Sequence, residues 1–302
     1  MEEQKTELKM IRMSEVELQE VKWLWYPFIP YGKLTIIQGD PGDGKTTLVL
    51  NIAAKLSKGE SLDCDMDVQE PVNVIYQTAE DGLADTVKPR LELAGADCEK
   101  ILVIDESDKS LSMADERLEE ALAKTGAKVL ILDPIQAYLG GGMDMNRANE
   151  VRPVFRKLGM IAEKTGCAIV LIGHLNKSSG TQSTYRGLGS IDIMAAVRSL
   201  IFIGKVRKDP TTRVLIHEKS SLVPPGETMA FKLGDEEGFR WVGAYEISAD
   251  ELLDGKEGKA TETKLERGAK LIRELLADKK EISIRELDEK AKEQGISGRT
   301  MR

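Results

Sequence analysis

Histidine and cysteine are scarce in this chain. Two histidines and three cysteines among 302 residues leave few soft donors for a transition-metal centre. Cys64, Cys98 and Cys167 stand far apart with no CxxC pair, which excludes a disulfide framework and a zinc site and leaves three reduced thiols. Aromatic residues make up only 5%, yet Trp23, Trp25, Tyr26 and Phe28 fall within six positions. They are expected to form a hydrophobic plug under the first strand, with an adenine cover as the rarer alternative. Long apolar runs are missing. Val129–Leu132 and Cys167–Gly173 fall far short of the ~20 residues a membrane helix needs. The charged start Met1–Lys9 does not read as a signal peptide, so a cytoplasmic protein without a membrane partner is expected. Positive charge is in deficit as well. Lys and Arg total 43 against 51 Asp and Glu, a net charge of −8, so any contact with nucleic acid has to be local.

The 41% of hydrophobic residues supply one sizeable core and an appendage. Short apolar runs at Leu34–Gln38, Val72–Gln77, Ile101–Ile104, Val129–Asp133, Ala168–Gly173, Ser199–Ile203 and Arg213–His217 are nearly continuous, as strands buried on both faces are. Helix-period segments at Thr46–Ser57, Asp85–Ala94, Ala114–Lys124 and Asn149–Lys164 separate them. That alternation predicts an α/β fold with a mostly parallel central sheet. Thr228–Leu233 and Phe239–Val242, with no helix between, predict an antiparallel finish. The expected organisation is an N-terminal segment over 1–20, a core over 21–247, a solvated linker over 248–263 and a partial helical unit over 264–302. In the last of these, helical spacing in Lys264–Ala277 and Ile284–Glu293 is followed by Gly295 and Ser297, a turn and an N-cap. The pattern is that of a helix-turn-helix or winged-helix-like piece whose third helix has made about one turn at Arg302; an ordinary protein-interaction unit fits nearly as well.

The sharpest motif is Gly39-Asp40-Pro41-Gly42-Asp43-Gly44-Lys45-Thr46, which fits G-x-x-x-x-G-K-[ST] between a strand and a helix. Gly42 and Gly44 let backbone N–H groups turn onto phosphates, and the helix that follows offers its positive end, with Thr47 in its first turn. Lys45 supplies a cation for the β- and γ-phosphates of ATP, and Thr46 an oxygen for Mg²⁺. Asp133 closes an apolar strand and is the expected carboxylate for that ion. Val72–Gln77 ends in Glu80 and Asp81. Glu80 is the natural base for an attacking water, unless either carboxylate instead caps the next helix.

Beyond these, Trp23-Leu24-Trp25-Tyr26-Pro27, the loop, Ala79-Glu80-Asp81-Gly82, Pro89-Arg90-Leu91-Glu92, Leu132-Asp133-Pro134, Gly173-His174-Leu175-Asn176-Lys177 and Arg186-Gly187 with Gly189-Ser190 together resemble the RepA-like branch of the RecA-fold P-loop ATPases, over about residues 20–245. Members of that branch include hexameric replicative helicases of plasmids and related phage ATPases. The resemblance implies a RecA-like core, Mg²⁺-dependent ATP hydrolysis, a hexameric homo-oligomer and action on single-stranded DNA. It implies Glu80 as base, Asp133 on the metal, His174 as γ-phosphate sensor and Arg198 as an arginine finger reaching a neighbour's nucleotide. Arg207, Arg213 and Lys219 are alternative trans-acting cations; where the related helicases carry Lys-x-Arg this chain has Lys219-Ser220-Ser221. The loops Gly140–Asn149 and Lys177–Ser190 would face a central channel. From His174 to Lys219 eight basic residues oppose three acidic ones, a basic island on an acidic chain. A filament-forming recombination or repair ATPase, and an ATP-switched DNA-binding regulator, are the alternative readings.

Overall fold

The computed structural model describes residues 10–62, 70–140, 143, 145, 147–175, 191–234, 238–256, 258–261, 264–277 and 283–293. The loop segment 176–190, the helix expected after Ser297, and Cys64 therefore lie outside the described residues. A small antiparallel hairpin, β1 (Trp23–Trp25) and β2 (Ile29–Pro30), leads into β3 (Leu34–Gly39) and α1 (Lys45–Lys58). Then come β4 (Val74–Thr78), α2 (Lys88–Leu93), β5 (Ile101–Leu102), α3 (Arg117–Thr125), β6 (Val129–Asp133), α4 (Ala148–Thr165), β7 (Ala168–His174), α5 (Ile191–Ala196) and β8 (Ser199–Lys205). The core closes with β9 (Thr212–Ser220), β10 (Met229–Gly234) and β11 (Gly238–Glu246), followed by α6 (Ala249–Leu253), β12 (Lys259–Ala260), α7 (Lys264–Ala277) and α8 (Ile284–Glu293).

Ten strands form one sheet in the order β12-β11-β10-β9-β8-β3-β7-β6-β4-β5. From β8 to β5 neighbouring strands run parallel, and β8 to β12 continue antiparallel. The α/β fold with a large, mostly parallel sheet is thus present, with the expected antiparallel finish. Apolar side chains point both ways from the parallel strands because helices cover both faces. Leu34, Ile36, Leu130, Ile169 and Leu171 pack with Phe155 and Leu158 of α4, and Ile37, Ile131, Val170 and Ile172 pack with Leu48 and Ile52 of α1. Trp25 and Phe28 are buried on the α1 side, with Trp25 against Trp241 at 5.8 Å between ring centroids. They form the expected plug.

Three local readings change. Asp85–Ala94 is not one α-helix: a π-helical turn at Leu83–Val87 precedes α2. Neither Glu80 nor Asp81 caps it, since Gly82 is the N-cap and no side chain bonds there. The segment 248–263 departs from a featureless solvated linker. Ser248 and Glu251 form a capping box for α6, whose Ala249 and Leu252 are buried with Phe202 and Val214, and β12 pairs with β11. Ala249, Leu252 and Leu253 are too few to register as a helical period, yet the capping box and two buried apolar residues suffice to hold one short helix. Helices α7 and α8 pack on each other through Leu271, Leu275, Leu287 and Ala291. Among the described residues no helix is long and apolar enough to cross a membrane.

Candidate active site

Strand β3 is buried along its whole length and delivers the glycine-rich loop to the carboxyl edge of the parallel strands. The chain reverses there into α1 through Gly42 at φ 82° and Gly44 at φ 87°, backbone angles that disfavour any side chain. Gly44 is needed for a second reason: a Cβ would stand 2.5 Å from Leu233 Cδ1 of β10. Asp40, Pro41 and Gly42 form the exposed crest of the loop. Asp43 turns inward, where its Oδ2 accepts the Asp40 N–H at 2.9 Å. Burial pushes the Asp43 carboxyl up to about 6, against the pull of that bond and of Lys45 and Arg213.

Lys45 is buried, and its Nζ donates to the Gly39 and Asp40 carbonyls at 2.9 and 2.8 Å. Burial draws the ammonium below the ordinary lysine value, while Asp43, Asp133, Asp40 and Glu80 act in the opposite direction. Thr46 Oγ1 donates to Asp133 Oδ2 at 2.8 Å, and Tyr76 Oη donates to the same oxygen at 3.0 Å. Burial nevertheless raises the Asp133 carboxyl. Tyr76 escaped the sequence reading because a tyrosine inside an apolar strand has no signature that separates it from core. A hydroxyl and a carboxylate in contact beneath the loop fit Mg²⁺, a hard ion that takes few ligands from protein and the rest from phosphate and water. Consistently, the described residues contain no group of three or more His, Cys, Asp or Glu side chains able to hold a metal by themselves.

Glu80 lies exposed just past the end of β4, and its charge acts on both Lys45 and Asp133. Asp81 is occupied by Arg90 at 2.8 Å, which separates the two adjacent carboxylates. His174 ends β7 directly opposite Gly39 of β3, and its Nδ1 is buried with no hydrogen-bond partner. Asn176 and Lys177 lie outside the described residues. Thr47 lines a cleft of about 590 Å³ that continues from the loop along α1, walled by Asn51 and Lys55, by Arg90 and Leu93 of α2, and by Leu233 and Phe239 of the antiparallel strands. A cleft of this size suits a nucleoside. Sequence reasoning missed it because its walls come from segments nearly 200 positions apart that carry no shared motif.

The remaining cations divide between two edges of the sheet, so the basic island is not one surface. Arg198 is exposed, and its N–H donates to Leu34 O at the start of β3. Five residues of extended chain, about 16 Å, separate that level from Gly39. Lys219 sits at the same far edge, half-buried, with Nζ donating to the Met194 and Val197 carbonyls. Neither reaches the loop of its own chain. Arg213 does: it is buried beside Gly44 and Asp43. Its expected place as an alternative trans-acting cation is therefore corrected, because the antiparallel turn from β8 brings the start of β9 back to the loop edge.

The AAA domain family model matches residues 2–180. Among curated proteins, the DNA repair protein RadA of Halalkalibacterium halodurans is 28% identical over 148 residues, which are 48% of this chain and 28% of RadA. Protein RecA of Clostridioides difficile is 23% identical over 295 residues, covering 87% of this chain and 77% of RecA. The chain thus spans well under a third of that RadA. Among solved structures, an isolated ATPase domain superimposes with a TM-score of 0.53 at 16% identity, covering 70% of this chain and 84% of that domain, a likeness of fold. With a family match over more than half of its length and the phosphate loop, Thr46 and Asp133 assembled on a mostly parallel sheet, the chain belongs to the AAA domain family and is a P-loop ATPase of the RecA fold.

Proposed function

We propose that this protein is a Mg²⁺-dependent ATPase that works on single-stranded DNA as a ring-forming assembly of identical subunits, each active site being completed by the neighbour. The observation that carries the ATPase reading is the cluster of Lys45, Thr46, Asp133 and Glu80 around one loop. Thr46 and Asp133 would hold Mg²⁺, which supplies charge neutralisation at the phosphates when bound. Lys45 exchanges the Gly39 and Asp40 carbonyls for phosphate oxygens. Glu80, the free carboxylate of its pair, takes the proton of the attacking water. His174 Nδ1, buried and without a partner beside Gly39, is placed to answer the γ-phosphate. Arg198, about 16 Å from its own loop, can serve only a neighbour's nucleotide, and this supports the shared site and the oligomer. The relatives named RecA and DNA repair protein RadA support DNA as the polymer acted on.

Variants test this in order. Lys45→Ala loses nucleotide affinity, whereas Glu80→Gln keeps ATP and loses turnover by ~10²-fold or more. Near-normal hydrolysis by Glu80→Gln removes that residue from the role of base. Arg198→Ala keeps ATP binding and loses rate, and mixing it with Lys45→Ala restores activity that neither parent has, since mixed borders rebuild complete sites. A mixture that never exceeds its parents, with assembly confirmed, places the finger elsewhere, with Lys219 and then Arg207 next in line. A helical filament of the recombination type is the second reading, favoured by the match to RecA over 87% of this chain. Electron microscopy with ATP and single-stranded DNA separates rings from filaments.

A further inference from the structure

Arg213 opens β9 opposite Lys205 of β8 and Phe231 of β10. Its side chain is 8% exposed, a placement a guanidinium tolerates only when its charge and its donors are met. They are met in part. Nη1 donates to the Pro210 carbonyl, while Nε is buried with no acceptor among the described residues. The carboxylates that act on it are Asp43 of the phosphate loop and Asp209 of the preceding turn, and Asp209 is already engaged by Thr211, Thr212 and Lys232. A Cβ built on Gly44 would lie 3.8 Å from both Cγ and Nε of Arg213, so the side chain lies against the loop itself.

The cleft supplies direction. Thr47, Asn51 and Lys55 recur at every fourth residue of α1, so the cleft runs along that helix away from the loop, and Arg213 lines it. A nucleotide with its terminal phosphates on Lys45 and Thr46 must pass its α-phosphate by Thr47 before its sugar enters the cleft. Arg213, touching both loop and cleft, stands at that junction. The other cleft cations are engaged: Lys55 donates to the Ser61 carbonyl at 3.0 Å and Arg90 pairs with Asp81.

We propose that Arg213 is a nucleotide-binding cation acting in cis, donating to the α-phosphate of a nucleoside triphosphate held on the loop of its own chain. This rests on the nucleotide reading above. In the absence of nucleotide Asp43 supplies the counter-charge; on binding, the phosphate takes over part of that role and gives the guanidinium the acceptor it lacks. Arg213 and Arg198 then have opposite genetics. A finger given to a neighbour is complemented by a subunit with a dead loop, whereas a cation belonging to its own loop is not.

The test is calorimetric titration with ADP and Mg²⁺ of the wild-type chain, Arg213→Met, which keeps an apolar stem, and Arg213→Lys, which keeps the charge. The expected result is a loss of about 10- to 100-fold in ADP affinity for Arg213→Met, the usual effect of one charge-assisted hydrogen bond, with partial recovery in Arg213→Lys. Mixtures of Arg213→Met with Lys45→Ala should hydrolyse no faster than the sum of the two. A wild-type chain that does not bind ADP refutes the nucleotide reading itself. Normal binding by wild type and equal binding by Arg213→Met, or rescue in the mixture, overturns the role of Arg213 alone. Should Arg213→Met fail to fold, the wild-type protein decides: the arginine Nε–H signal absent from Arg213→Lys should shift in the NMR spectrum on addition of ADP, and an unmoved signal overturns the proposal.

Discussion

Acidification should unlock this fold at one residue, His217. The ring is buried on β9, 5.1 Å from Phe28 of the plug between centroids. Its Nδ1 accepts the Gly226 N–H at 2.9 Å, so the neutral ring must carry its proton on Nε2, which lies 2.9 Å from Ser199 Oγ on β8. A second proton would set N–H against N–H at Gly226 and charge a ring removed from water. Burial accordingly lowers the imidazolium to about 4 from an ordinary 6.5. The unfolded chain binds a proton between these values and the native chain does not, so stability present above pH 6.5 is lost as pH falls toward 4. Linkage sets a ceiling of about 3 kcal/mol by pH 4, a large share of the total for a domain of this kind.

Other groups titrate in this window, so the informative quantity is a difference. His217→Gln retains an amide oxygen for Gly226 and an amide donor for Ser199 but does not ionise. Urea denaturation of both proteins, without nucleotide, at intervals from pH 4 to pH 8 should show wild type losing about 2–3 kcal/mol more than the variant over that range. A difference that stays constant with pH would mean that His217 keeps its ordinary proton affinity when buried. The reasoning from burial and bonding would then be wrong.

Asp43 should act with the opposite sign. Its carboxyl is raised to about 6 from 3.8, so its ionisation burdens the native state increasingly as pH rises through that window; Asp43→Asn should be more stable than wild type by up to about 3 kcal/mol at pH 8, with the gap closed by pH 4 in thermal melts. Tyr76→Phe removes one of the two hydroxyl donors on buried Asp133, and should cost about 1–3 kcal/mol in urea denaturation with chelator present. Nucleotide with Mg²⁺ should restore part of that loss, and an unchanged denaturation midpoint would remove Tyr76 from any part in holding the carboxylate.

The parallel half of the sheet was legible because each of its strands is apolar on nearly every residue, the mark of a strand covered on both sides, and Val129–Asp133 was placed to the residue. The loop was legible for a related reason: its glycines, lysine and threonine do their work locally, within one turn of chain, so spacing alone identifies them. What escaped was built by distant segments. Tyr76 meets Asp133 only after β4 pairs with β6, with Thr78 opposite Asp133, and no spacing along the chain encodes that meeting. Helix α6 rests on Ala249 and Leu252 finding Phe202 and Val214, a tertiary contact that rescues a segment too polar to show a period. The cations are the clearest case. Arg198, Arg213 and Lys219 are near neighbours in sequence and interchangeable by composition, yet the antiparallel course of β8 and β9 places Lys219 beside Leu200 and Arg213 beside Lys205, at opposite ends of the same pair. A strand reversal of this kind converts a short sequence interval into the full width of a sheet. One sheet edge then carries the chain's own phosphate site and the other the charges it can offer only to a neighbour, so the division between cis and trans residues follows from topology before any assembly is considered.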